Sequence, residues 1–204
     1  MKFQTRRIPL ALLALASCLA MSVANASIIA YQVTLSGANE SPVNASPGTG
    51  TGVVTFDNVS RTMRVQVSFA GLLGNVTASH IHCCTAVPGT GAVGVATVTP
   101  SFTGFPSGVT SGSYDQTFDM NLAGSWNAPF ITANGGTPVS AFAALLAGAA
   151  SGSAYLNIHT GPNAVSAGFP GGEIRGFLTV PEPTSLALLG LGLLGLTWRR
   201  TRAS

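Results

Sequence analysis

Residues 62–69 constrain the fold most. Met63, Val65, Val67 and Phe69 are apolar, and Arg64, Gln66 and Ser68 between them are polar. Side chains on a strand alternate faces, so this stretch predicts a half-buried antiparallel strand with one wet face. The pattern recurs. Ile29, Tyr31, Val33 and Leu35 alternate with other residues, 52–56 is a β-branched run, and Asp57-Asn58-Val59-Ser60 supplies a turn into 62–69. Further strands are expected over 75–82, 92–99, 114–120, 155–159 and 173–180. Long Gly- and Pro-containing loops are expected over 37–52 and 160–172. Only 138–150 departs, with Val139, Phe142, Leu145 and Leu146 at helical spacing, so one short helix is predicted there. The sum is an all-β fold, an antiparallel β-sandwich of roughly seven to nine strands with one short helix.

Both ends of the 204-residue chain read as addresses rather than as fold. Residues 1–26 have the form of a signal peptide. Lys2, Arg6 and Arg7 precede an apolar core over 8–20, and Ala24-Asn25-Ala26 offers small residues for cleavage. A rival cleavage box, Leu15-Ala16-Ser17-Cys18, would instead leave a lipidated Cys18. At the other end, Pro181-Glu182-Pro183 is followed by an apolar run from Leu186 to Trp198, then by Arg199, Arg200 and Arg202. That run is 13 residues, shorter than the about 20 of a full membrane span. It suits a transient inner-membrane anchor with its arginines on the cytoplasmic side. Both ends are thus expected as apolar targeting helices, leaving 27–180 as one domain.

Charge follows the same division. The formal net charge is +3, yet the body from 27 to 180 holds only Arg61, Arg64 and Arg175 against Glu40, Asp57, Asp115, Asp119 and Glu173. Three positive minus five negative charges leaves about −2, so no basic patch exists for nucleic acid.

Four motifs stand in order along the body: 35–43 (LSGANESPV), His80-Ile81-His82, Tyr155-Leu156-Asn157-Ile158-His159-Thr160, and Gly171-Gly172-Glu173-Ile174-Arg175-Gly176. Together they resemble the CHRD domain over about residues 30–179, which implies an extracellular β-rich domain. Residues 181–204, with Pro181, Glu182, Pro183, Arg199 and Arg200, resemble the PEP-CTERM sorting signal. That resemblance implies cutting by an exosortase-type membrane enzyme and delivery to the cell envelope, the outer surface or the extracellular matrix.

The chemistry rests on three histidines, all in these motifs. His80 and His82 are two apart, which places both rings on one strand face roughly 6.5–7 Å apart at the backbone. His159 is a third candidate ligand and Glu173 a fourth, and copper or zinc would suit such a set. The competing reading has each histidine tying down a neighbouring loop, and Glu173 pairing with Arg175 as a surface bridge. Cys83 and Cys84 are the cysteines that follow the leader. Outside the inner membrane they are expected as a vicinal disulfide constraining a loop. A link to another chain and soft metal ligation are the alternatives. No nucleophile elbow or poised acid–base pair is visible, so the chain reads as a non-enzymatic exported domain that binds a matrix polysaccharide or surface protein. The alternative is a metal-binding or metal-dependent redox protein using His80, His82 and His159.

Overall fold

A computed structural model of the chain describes residues 28–180. The two expected targeting helices, the leader cleavage sites and the C-terminal anchor lie outside the described residues. Among the described residues no helix is long and apolar enough to cross a membrane.

Seven strands form: β1 (Ile28–Ser36), β2 (Thr49–Asp57), β3 (Thr62–Ala70), β4 (Asn75–His82), β5 (Gly112–Asp119), β6 (Tyr155–Gly161) and β7 (Ile174–Phe177). They are hydrogen-bonded in the order β4-β6-β7-β1-β2-β3-β5, with every pairing antiparallel. The expected sandwich of two sheets is therefore corrected to one sheet that curls. The reason lies at its seam. Strands β1, β2, β3 and β5 form one half, β4, β6 and β7 the other, and β1 meets β7 only at Ser36↔Arg175, with a bridge from Gln32 to Thr179 beyond it. Alternation tells each strand which face is buried, but not that so short a seam joins the halves.

The β2–β3 hairpin keeps the expected pattern. Met63, Val65, Val67 and Phe69 are buried, while Arg64 is exposed and forms a two-pronged bridge to Asp115 across the β3–β5 ladder. One hydrophobic core then gathers the inward rows of both halves. Tyr31 meets Phe56 edge-on at 5.8 Å, and Phe56 meets Phe142 at 6.1 Å, which ties the helical segment to the sheet.

Among the described residues two α-helices form where one was expected. α2 (Pro138–Ala150) matches the predicted span. Thr137 caps it, its side chain accepting from the Ser140 N–H in a reciprocal capping box, and Pro138 occupies the first turn, where its missing N–H costs nothing. α1 (Ala128–Ala133) was not legible, being only six residues long. The predicted strand over 92–99 is a correction of the opposite kind. That stretch is a loop that runs beside β4 without a regular ladder, through the isolated bridge His82↔Val95 and bonds from Ala96 N and Thr97 N to Ile81 O.

Cys83 and Cys84 are joined as a vicinal pair. Cys83 follows His82 and so points to the other face, into the core, while Cys84 beside it is exposed, and both sulfurs lie against Gly148 of α2. This removes the cysteines from the histidine face. It also explains why α2 carries a buried glycine: a Cβ at Gly148 would run into both Sγ atoms. Gly148→Val is expected to lower stability by about 1–3 kcal/mol through overpacking. Urea denaturation checks this, and an unchanged midpoint would contradict the packing described.

Candidate metal centre

The site is built by register. In the β4–β6 ladder Ala78 opposes His159, His80 opposes Asn157, and His82 opposes Tyr155. Period two then puts His80, His82, Tyr155, Asn157 and His159 on one face. The residues between them, Ile81, Leu156 and Ile158, are fully buried on the core side. The β6–β7 ladder continues the row, with Arg175 opposite Asn157 and Phe177 opposite Tyr155. His80 and His82 rings lie 4.7 Å apart, His80 and His159 4.7 Å, and His82 and His159 5.7 Å. One nitrogen from each can be chosen so that all three lie within 4.8 Å of one another.

Each ring is held from behind by a backbone carbonyl. Nδ1 of His80 lies 3.1 Å from Pro100 O, Nδ1 of His82 2.7 Å from Val93 O, and Nδ1 of His159 2.9 Å from Pro170 O. A carbonyl oxygen only accepts, so each Nδ1 donates and carries the proton. Each Nε2 therefore keeps its lone pair, and all three Nε2 atoms are buried without a partner. His159 thus ties down the loop that follows it, as the competing reading had it, whereas His80 and His82 hold Pro100 and Val93 and not the 83–91 loop. These bonds leave the three Nε2 atoms free. This is the support that commonly orients imidazole ligands in metal sites.

Electrostatics keeps the rings neutral. Burial pushes His80 down to about 3, reinforced by His159 and His82 beside it and opposed by the Pro100 hydrogen bond. Burial likewise pushes His82 down to about 4, opposed first by its bond to Val93. Burial lowers His159 too.

Around the rings is a layer of polar and aromatic groups. Tyr155 stacks on His82 at 4.7 Å and 7°. The Arg175 guanidinium sits 4.6 Å over the Tyr155 ring, donates from Nη1 to Gly91 O at 2.7 Å, and donates from Nε to Asn39 O. Its Nε is 3.7 Å from Glu40 Oε2. Burial pushes Glu40 up to about 7, with Arg175 working in the other direction.

Glu173 is not part of the histidine group. Its carboxylate is taken up elsewhere, accepting from Ser46 Oγ (2.6 Å), Leu73 N (2.5 Å), Gly74 N (3.1 Å) and Thr160 Oγ1 (2.6 Å). Nor does it form a surface bridge with Arg175: both are buried, and Arg175 turns to Glu40. Neighbouring positions two apart on β7 were expected to share a task. Glu173, however, precedes the strand, which begins at Ile174. Asn157, Tyr155, Arg175 and Glu40 were missed as site residues. All four stand inside the quoted motifs, but only strand register shows that they meet.

The fold and this face define a mostly β domain with a buried cluster of three neutral histidines. Residues 31–178 match the family model described as the CHRD domain, and residues 179–202 match the PEP-CTERM protein-sorting motif. The first match covers most of the chain, and the chain belongs to the CHRD family. It matches no curated protein and no solved structure. The sorting motif implies export to the cell envelope or surface and processing by an exosortase-type enzyme. Pro181, Glu182, Pro183, Arg199 and Arg200 fall within the matched stretch and outside the described residues.

Proposed function

We propose that this exported CHRD domain binds one transition-metal ion through Nε2 of His80, His82 and His159. The observation that carries the reading is the state of those three nitrogens: buried, unpartnered and deprotonated, on rings whose centroids lie 4.7–5.7 Å apart, while every Nδ1 is engaged. Around one ion with Zn–N bonds near 2.0–2.1 Å, tetrahedral geometry puts ligand nitrogens about 3.3–3.4 Å apart. The rings need a small inward turn from their present spacing to meet that requirement. Three imidazoles without sulfur or carboxylate suit zinc or copper, with copper the tighter binder by the usual divalent order. Metal held at an exported surface would serve capture of the ion or redox chemistry on it.

A second reading has the domain bind a matrix polysaccharide or a surface protein. It is favoured by an open groove of about 410 Å³ lined by Asn39, Glu40, Pro42, Thr90, Arg175 and Phe177. In both readings residues 181–204 would hold the chain at the inner membrane until they are cut.

The test is the metal content of the protein recovered from the cell envelope without chelators or a histidine tag. About one equivalent of copper or zinc is expected, and none after joint replacement of His80 and His82 by alanine. A folded wild-type protein that stays metal-free after exposure to both ions would end the metal reading and leave the groove as the functional surface.

A further inference from the structure

Five buried side-chain nitrogen and oxygen atoms among the described residues have no hydrogen-bond partner: Nε2 of His80, His82 and His159, Oδ1 of Asn157, and Oε1 of Glu40. Buried polar atoms are nearly always satisfied, so orphans that gather in one place mark something that belongs there. Two of the five meet at Gly172, and the other three share a strand face with Asn157. Asn157 opposes His80 across the ladder and precedes His159 by two residues on the same face. Glu40 reaches the same spot over Gly172. A Cβ built on Gly172 would lie 2.7 Å from Asn157 Oδ1 and 2.7 Å from Glu40 Oε1. The two oxygens are thus no more than 5.4 Å apart, twice 2.7 Å, a gap that one water molecule bridges. Gly172 has φ +126°, where a side chain is disfavoured on backbone grounds as well as by this crowding.

The chemistry of the set is one-sided. With Glu40 ionised, all five atoms are acceptors, and none offers a proton to another. A metal ion satisfies the three nitrogens and leaves the two oxygens wanting donors. Arg175 does not supply them: its Nε and Nη1 are given to the carbonyls of Asn39 and Gly91.

We propose that the site extends past the histidines, with Asn157 and Glu40 holding a hydrogen-donating ligand on an open coordination position of the metal. Water is that ligand at rest. A small neutral alcohol or amine is the class of molecule that replaces it, reaching the site from the groove that Glu40 and Arg175 line. The inference rests on the metal reading above and adds to it a position for an exogenous ligand. Three protein ligands with a solvent-filled fourth position are the arrangement found where a metal acts on a bound molecule, whereas a purely structural ion is closed by four protein ligands.

The experiment loads the full protein with Cu(II) and compares electron–nuclear double resonance spectra in H₂O and D₂O. Strongly coupled exchangeable protons are expected in the wild type. In Asn157→Leu the metal should stay bound, roughly 10–100-fold more weakly, with that coupling lost. Asn157→Asp, which keeps an acceptor, should retain it. One equivalent of copper with no exchangeable proton in the wild type would overturn this inference alone, and would mean that the Asn157 amide and Glu40 bond each other directly. Coupling that survives in a folded Asn157→Leu would overturn it equally. Failure to bind copper would overturn the metal reading and this inference with it. If Asn157→Leu does not fold, the wild-type comparison decides by itself.

Discussion

Glu173→Ala is expected to destabilise the domain by about 3–5 kcal/mol, the largest effect of a single replacement away from the histidines. The side chain is fully buried and accepts from four donors. Those donors come from the β1–β2 loop (Ser46), the β3–β4 turn (Leu73, Gly74) and the end of β6 (Thr160). The backbone of Glu173 itself donates to Ile158 O at 2.8 Å and accepts from Asn44 Nδ2 at 3.0 Å. One carboxylate thus joins four chain segments at one end of the sheet. Alanine would leave two backbone N–H groups buried without acceptors, at about 1–3 kcal/mol each, and the two hydroxyls would recover only part of the difference by rotating. Glu173→Gln keeps an acceptor and should lose about half as much. Urea denaturation of the metal-free protein reads both. A change under about 1 kcal/mol for alanine would show that the segments hold together without this hub.

The second large effect is on acid stability. In the metal-free protein His80 and His82 sit at about 3 and 4, below an unfolded value near 6.5, and His159 is lowered as well. As pH falls below 6.5 the unfolded chain takes up protons that the folded chain refuses. The stability these groups contribute is whole above 6.5 and drains away as pH falls toward their folded values, by about 1.4 kcal/mol per pH unit for each. Glu40 runs the other way. Raised to about 7, it stabilises the folded state below its unfolded value and loses that contribution as pH rises toward 7, so on acidification it offsets about one histidine. The net loss expected from pH 7.5 to 4.5 is about 2 kcal/mol from His80, His82 and Glu40 together, with His159 adding to it, or a fall in Tm of at least about 5 °C. Thermal unfolding across that range measures it, and a flat or rising Tm would refute the burial of neutral rings. Bound metal should raise the plateau near pH 7 and steepen the fall, because protons and metal compete for the same lone pairs.

Much of this molecule is legible in order of sequence. The alternation in 62–69 marked β3 because polar and apolar side chains must separate across a half-buried strand. The helical spacing of Val139, Phe142, Leu145 and Leu146 marked α2. The His-x-His of β4 told which face its rings share. The loop over 92–99 shows the opposite case. Its β-branched alternation imitates a strand, yet its carbonyls turn to the histidines: Val93 O holds His82, and Pro100 O, just beyond, holds His80. A loop recruited to support a site carries apolar residues for packing, and a local pattern does not separate that use from a ladder.

The chain by itself determined the C-terminal sorting address, the β-rich body before it, and three histidines as its only imidazoles. These follow from composition and from periods of two and 3.6, which are properties of neighbours along the chain. Only the tertiary structure decided that the strands form one curled sheet, that Glu173 ties the loops together while Glu40 lies beside Arg175, and that Cys83 is buried in the core. Those outcomes depend on register and on which distant segments meet, such as Ser36 with Arg175 or Gly172 with Glu40. A shift of one residue in any of those pairings would send the same side chains to the opposite face.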